Sequence, residues 1–421
     1  MPFRPWVVLL LFTLTVFGKS FDLPSALKEY LYLKGLQYVK GANYVGALEI
    51  FRFLGDYKNS SKLYAELKRF FGPVPVSAFS KEPFIRVKIA SFSRFKLMCP
   101  ERVVEVFYSP RKGGLFVPSE GKTFSSLTFG GLKNCSFSAD GRVEETLPRD
   151  GKLLLFASAD GGLAVLEIPL EDYLKGVLSS EVYPSWPLEV LKAQAVASRT
   201  YALFNIYRAR EAGKVFDVDS STRYQVFKLY KRSFPSVERA VEATRGEVLT
   251  YNGSLIYAMF NANNGGCSHS FEEITGVKLP YLSSVEDNCT SPLLRWNFWI
   301  RKLPMERFEE PLRRAGLDFK VSRLEVLRNR CGRGLEITLV SPEGREITLP
   351  LSIFYRMETH LPSDWFYPIA RAGGYLLLKG RGFGHGLGMS QWGAYCLAKR
   401  GWDYRRILDL YYRGAEVKKI Y

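Results

Sequence analysis

Glu181 stands at a break between two helical patterns, in the stretch 169–206 that reads PLEDYLKGVLSSEVYPSWPLEVLKAQAVASRTYALFNI. Pro169 suits the opening of the first helix and Pro187 that of the second, because a first helical position needs no N–H. Residues 184–187 cannot continue the first helix, which leaves Glu181 at or just past its C-terminal end. A negative charge there meets the wrong end of the helix dipole, so the protonated form is favoured. A carboxyl group kept partly protonated is what general acid catalysis requires. In the second helix Leu188, Leu191, Ala195, Val196, Ala202, Leu203 and Ile206 fall on one apolar stripe. Lys192 and Arg199 lie inside that stripe. Long cations pointing inward need a partner or a cleft, and Glu181 is the obvious neighbour. The alternative is that their stems pack while their charged heads reach the rim.

Other residue types with chemistry are scattered. The six cysteines (Cys99, Cys135, Cys267, Cys289, Cys331, Cys396) include no CxxC. A disulfide Cys267–Cys289 is the expected bridge, since the turn-rich segment between them could fold back. A zinc site of Cys267, His269 and Cys289 is the alternative, although a C-x-H pair lacks the usual structural-zinc spacing. Glycines recur at 380, 382, 384, 386 and 388. An extended segment built so has one face of bare backbone and carries Arg381, Phe383, His385 and Leu387 on the other. A bare face admits a flat ligand such as a glycan; close packing against a helix is the competing explanation. The regular period, with no βαβ unit around it, argues against a dinucleotide loop. Ser390 is placed to cap the helix that follows, with Gly401 as its stop. Of only four glutamines, Gln194, Gln225 and Gln391 fall in these blocks.

The elements that must position these residues follow from composition and pattern. With 421 residues and 47% hydrophobic content, the chain has length for two or three domains and for a real core. Residues 1–18 carry Arg4, an apolar run from Trp6 to Phe17 and a small-residue site, which is the outline of a secretory signal peptide. The expected location is therefore outside the cytoplasm, in the periplasm or cell envelope. The net charge of +17 suits anionic polymers, and for an exported chain wall polymers or a membrane surface. No nucleic-acid motif is present. Residues 22–72 have the spacing of a tetratricopeptide-like helical hairpin (Tyr38, Gly41, Tyr44, Ala47, Phe51), a unit that must pack on the rest of the chain or dock a partner. Residues 84–168 alternate as short antiparallel strands between turns. Further helices are expected at 236–244 and 305–315, with strands at 246–250, 254–261 and on through Leu351. The fold class is α+β: antiparallel strands, a central helical pair and a small N-terminal helical hairpin.

LEDYLKGVLSSEVYPSWPLEVLKAQAVASRTYAL and GRGFGHGLGMSQWGAYCLAKRGWDYRRILDLYYRG together resemble the stage II sporulation protein D / LytB (SpoIID/LytB) family. The connecting pieces DVDSSTRYQVF, AVEATRGEVLTYNG, ANNGGCSHS, PYLSSVED and RMETHLPSDWF look like it too, so the resemblance spans 84–421. It implies a lytic transglycosylase that cuts the MurNAc–GlcNAc bond of peptidoglycan and leaves a 1,6-anhydro end. In sporulating members the glycan is already stripped of stem peptides, and LytB-type members are amidase enhancers. Carried over by motif, the catalytic residue is Glu181. Lys192, Gln194, Arg199 and Tyr201 line the substrate cleft, with His385, Ser390 and Gln391 contributed by the final block. His385 is also open to a second proton-carrying role or to simple packing. No cofactor is expected. The implied partners are glycan strands and a wall amidase. Glu181-Val182-Tyr183-Pro184 departs from the Glu-Met-Pro common in members, which adds bulk beside the acid. A hydrolase needs two flanking carboxylates; attack by the sugar's own C6 hydroxyl needs one, and Glu181 has no obvious twin. Glu171, Asp172 and Glu189 read as helix N-terminal charges.

Overall fold

The computed structural model describes residues 23–229, 234–291, 293–354 and 361–421. The apolar leader 1–18 lies outside them, as does the whole RMETH segment before Leu361. No helix among the described residues is long and apolar enough to cross a membrane.

Both prolines sit one position earlier than expected, as N-caps: Pro169 before the helix Leu170–Glu181 and Pro187 before the helix Leu188–Glu211. The first, the acid helix, ends on Glu181, and Val182 is already extended. The second, the central helix, is buried nearly all round and not on one stripe alone. That is the pattern of a helix running through a core. It packs against the acid helix, the helix Pro235–Ala243, the strand Glu247–Tyr251 and the helices Gln391–Lys399 and Tyr404–Tyr411.

The acid helix grows directly out of a strand. Gly161–Pro169 pairs antiparallel with Phe84–Phe92 and Lys152–Ser158 in a five-stranded sheet completed by Ser126–Phe129 and Val218–Asp219. The last of these joins parallel to Phe84–Phe92, and so delivers residues 220–227 to the acid helix. A six-stranded antiparallel sheet, built from strands between Arg94 and Thr146, packs beside it. Mixed α and β structure in several small sheets is thus the architecture.

Two large cores hold most of the buried hydrophobic residues among those described, and a small third cluster joins Val182, Leu191 and Ala240. The larger gathers the five- and six-stranded sheets and the central helix. The second joins the N-terminal helices to the sheets Trp299–Pro304/Tyr375–Gly380/Phe366–Ala372 and Arg323–Arg328/Gly334–Val340/Glu346–Pro350. The N-terminal segment forms three helices, Ser25–Lys40, Tyr44–Leu54 and Ser60–Phe70, where a two-helix hairpin was expected. It packs on the rest of the chain: the Phe70 ring lies 5.7 Å from Phe204, and Phe71 5.1 Å from Tyr257 and from Phe271. Tyr64 donates to the Thr275 carbonyl at 2.9 Å, and Ser352 hydrogen-bonds the buried Glu49.

The cysteines correct the expected pairing. The bridges are Cys99–Cys135, Cys267–Cys331 and Cys289–Cys396. Cys267 and Cys289 therefore belong to different disulfides, and the Cys267/His269/Cys289 zinc site is overturned with them, because neither sulfur is left as a thiolate ligand. His269 serves elsewhere: its Nε2 is 3.0 Å from Asp364 and its Nδ1 3.4 Å from Glu273, fully buried. Burial pushes this imidazole down, but Asp364 and Glu273 together more than offset that and hold it above the usual range.

The alternating glycines are a second correction. Beyond Gly380, where a strand ends, the segment is irregular and not extended. Gly382, Gly384, Gly386 and Gly388 all have left-handed φ, from +68° to +102°, which side-chain-bearing residues rarely adopt. A Cβ on Gly388 would stand 1.8 Å from the Met259 carbonyl oxygen, and one on Gly386 would stand 2.3 Å from the Arg333 guanidinium. The pattern serves tight backbone packing against residues 259–265 and a buried arginine; of the two explanations offered for it this is close packing, with a loop and not a helix as the neighbour.

Candidate functional site

Three segments far apart in sequence meet at Glu181. Val226, in the loop that the parallel strand delivers, donates its backbone N–H to Glu181 Oε1 at 2.7 Å. Gly176, within the acid helix, permits the approach: a Cβ there would lie 2.3 Å from the Phe227 ring. Gln391 opens the last helical block, and its amide is 3.5 Å from Glu181 Oε2 and 3.4 Å from Gln194 Oε1. Gln194 is fully buried on the central helix and donates to Ser198 at 3.0 Å. The parallel pairing of Phe260–Asn261 with Met389–Ser390 fixes Gln391 in place.

Glu181 keeps partial exposure at the helix end. Burial pushes its carboxyl above the ordinary glutamate range, against the pull of the Val226 N–H and the Gln391 amide. The direction is the one the sequence leads one to expect; the dominant cause is desolvation. Among the described residues, no cation or second carboxylate is one of the groups that shift it. Both neighbours donate, but Val226 N–H holds Oε1 at 2.7 Å while the Gln391 amide reaches Oε2 only at 3.5 Å, so Oε2 is the oxygen more available to a proton. A cavity of about 370 Å³ lies on the flank of the acid helix, lined by Asp172, Lys175, Ser179 and Phe227; Glu181 is not among its walls.

Gln194, Gln391 and Tyr201 are grouped with the acid. Tyr201 is buried with its hydroxyl 3.5 Å from that of Tyr257, and burial pushes its phenol up to about 12. Arg199 is a correction. It is fully buried and gives a two-pronged ion pair to Glu171, at 2.8 and 2.7 Å, and a bond to the Glu247 carbonyl at 3.0 Å. It therefore has no free edge for a glycan, and Glu171, in the first turn of the acid helix as expected, is also its buried partner. Burial pushes Glu171 up, but Arg199 outweighs it and holds the carboxyl below the usual range. Lys192 pairs with Glu189 at 2.8 Å and lies 5.5 Å from the Tyr404 ring, as a cation at the rim does. Ser390 caps its helix as expected: it is buried, and its hydroxyl accepts from Gly393 N–H at 3.1 Å and Asn264 N–H at 3.2 Å. His385 is partly buried, and its Nδ1 accepts from Leu387 N–H at 3.0 Å, so that atom takes up a proton only by losing the bond.

Sequence reasoning passed over the aromatic rings beside the acid: Trp186 and Trp392 are 4.8 Å apart, with Tyr183 and Tyr395 against them. Their signal was present in SWP and SQW, next to the very residues singled out.

The chain is similar to known proteins over this region. The family model described as "Stage II sporulation protein" matches residues 159–251, from the strand before the acid helix to the strand Glu247–Tyr251. An uncharacterised protein of Brachyspira hyodysenteriae is 34% identical over 270 residues, 63% of this chain and 71% of that one. Stage II sporulation protein D of Bacillus subtilis is 30% identical over 280 residues, 61% of this chain and 76% of its own length. The amidase enhancer of Bacillus subtilis is 28% identical over 288 residues, 57% of this chain but 39% of that longer protein.

Proposed function

The chain belongs to the stage II sporulation protein D family, and from that premise we propose that it is an exported lytic transglycosylase acting on peptidoglycan glycan in the cell envelope. The observation that carries the reading is the solitary carboxyl at the end of the acid helix. Burial raises its pKa and so favours the protonated form that a general acid needs, and its partial exposure lets a glycosidic oxygen approach. The proton on Oε2 passes to the leaving oxygen as the C1–O bond breaks. The C6 hydroxyl of the same sugar closes on C1, and its proton returns to the carboxylate. No water is consumed, and one residue serves as acid and then as base. The Val226 N–H and Gln391 hold the carboxyl in one orientation through both steps and stabilise its charged form between them. The net charge of +17 favours association with anionic wall material.

A second reading, a non-catalytic glycan-binding enhancer of a wall amidase, is favoured by the similarity to a protein of that name. A scaffold role for the N-terminal helices has less support, since their inner faces are spent on the body of the chain. Incubation of purified, peptide-free glycan strands with the protein separates the first two readings. Anhydro-muramyl products that disappear in Glu181→Gln are expected. Glycan binding with no products from the wild type would leave the enhancer.

A further inference from the structure

The acid–base chemistry leaves a line of rings unused. Two residues past the acid, Tyr183 is 46% exposed, with its ring 5.3 Å from Trp186 and 6.2 Å from Trp392. Arg295 Nη1 donates to the Tyr183 hydroxyl at 2.8 Å, and the same guanidinium lies 5.3 Å from the Trp296 ring. Trp296 packs at 4.5 Å and a 30° tilt against Phe383, which is 40% exposed. From Tyr183, through Arg295 and Trp296, these contacts run unbroken to Phe383 in the glycine-rich loop.

Trp296 is held there against its backbone preference. Its φ is +70°, a region that bulky residues seldom enter and that is found mostly where function requires it. Buried amides enforce the conformation. Gly382 N–H donates to the Trp296 carbonyl at 2.7 Å. Asn263 donates to the Arg295 carbonyl at 2.8 Å and to Asn297 at 2.9 Å, while Asn297 donates to the Cys289 and Ser291 carbonyls at 2.7 and 2.8 Å. Ordinary core packing does not explain a strained tryptophan paired with a ring that faces solvent. A pyranose does: it offers a flat face of C–H groups that aromatic rings desolvate well, and edge hydroxyls that an arginine fork can meet.

We propose that Tyr183, Trp296 and Phe383, with Arg295 between them, form a saccharide-stacking subsite that seats the glycan strand alongside Glu181. The assignment rests on the transglycosylase reading for its occupant, but not for its test. Glu181→Gln, which binds without cutting, is titrated with tri-N-acetylchitotriose and with peptide-free glycan strands, following tryptophan fluorescence. Adding Trp296→Ala or Phe383→Ala weakens binding on the order of tenfold, and Trp296→Phe recovers most of it. Phe383→Ala removes a solvent-facing ring and keeps the test decisive should Trp296→Ala fail to fold. Unchanged affinity in the folded ring variants, or no glycan binding at all, overturns the subsite; if the wild type still cleaves glycan, the transglycosylase reading survives that result. Ring-dependent binding without anhydro products from the wild type upholds the subsite and sinks the cleavage reading.

Discussion

Glu181 is an acid because of what surrounds it. A carboxyl whose folded pKa lies above its unfolded value makes the folded state bind more protons between the two. Its contribution to stability therefore falls as pH rises through that window. Glu181→Gln is expected to abolish cleavage while melting no lower than wild type at pH 7, with the wild type gaining ground as the pH drops toward 5; paired thermal melts check this. Gln391→Glu sets a like charge about where the amide now lies, 3.5 Å from Oε2, which drives the Glu181 carboxyl further up. The alkaline limb of the cleavage profile should then move upward by about one pH unit, and an unmoved limb would remove Glu181 as the proton donor. The position of Glu181 was legible, because prolines announce where a helix stops. Its partners were not: Val226 and Gln391 lie 45 and 210 residues away, and no local pattern encodes a contact of that span.

At the scale of elements, the central helix shows what a periodicity argument can and cannot say. An arginine among Leu191, Ala195 and Ala202 was a visible anomaly. Its resolution lies in the first turn of another helix, where Glu171 receives both prongs of Arg199 and the hydroxyl of Tyr421 at 2.7 Å. Removing one partner of such a pair strands the other charge in the core. Arg199→Ala should cost roughly 3–5 kcal/mol, read as a lowered denaturant midpoint, whereas a substrate contact would raise KM and leave the midpoint alone. The folded pKa of Glu171 is depressed, so its contribution is present above the unfolded value and lost as pH falls through the folded one. The gap between wild type and variant should accordingly narrow in acid. The glycine block was legible in the same partial way. Its period of two is real, but it records repeated left-handed φ, which a residue count cannot tell from the pleat of a strand.

At the scale of the whole molecule, the N-terminal helices decide whether the chain is a body with an appendage or one packed unit. Sequence spacing showed that these helices could not bury their own faces; which surface covers them is a matter of tertiary contact alone. Leu27, Leu31, Ile50 and Phe51 are fully buried in a core shared with Phe308, Ile337, Phe354 and Leu378. Phe71 reaches the other core, against Tyr257 and Phe271. The helices thus bridge both cores, and Phe70 touches Phe204 of the central helix that carries Gln194. Deleting residues 23–71 would bare those apolar surfaces to water, so the remaining chain should aggregate or lose its cooperative melt. Phe71→Ala makes the same cut at one residue, with an expected loss of about 3–5 kcal/mol and a fall in cleavage rate that tracks the fraction unfolded. A truncated chain that melts cooperatively at the full-length temperature would show instead that the helices are separable, and their outer faces would again be candidates for recruiting a wall enzyme.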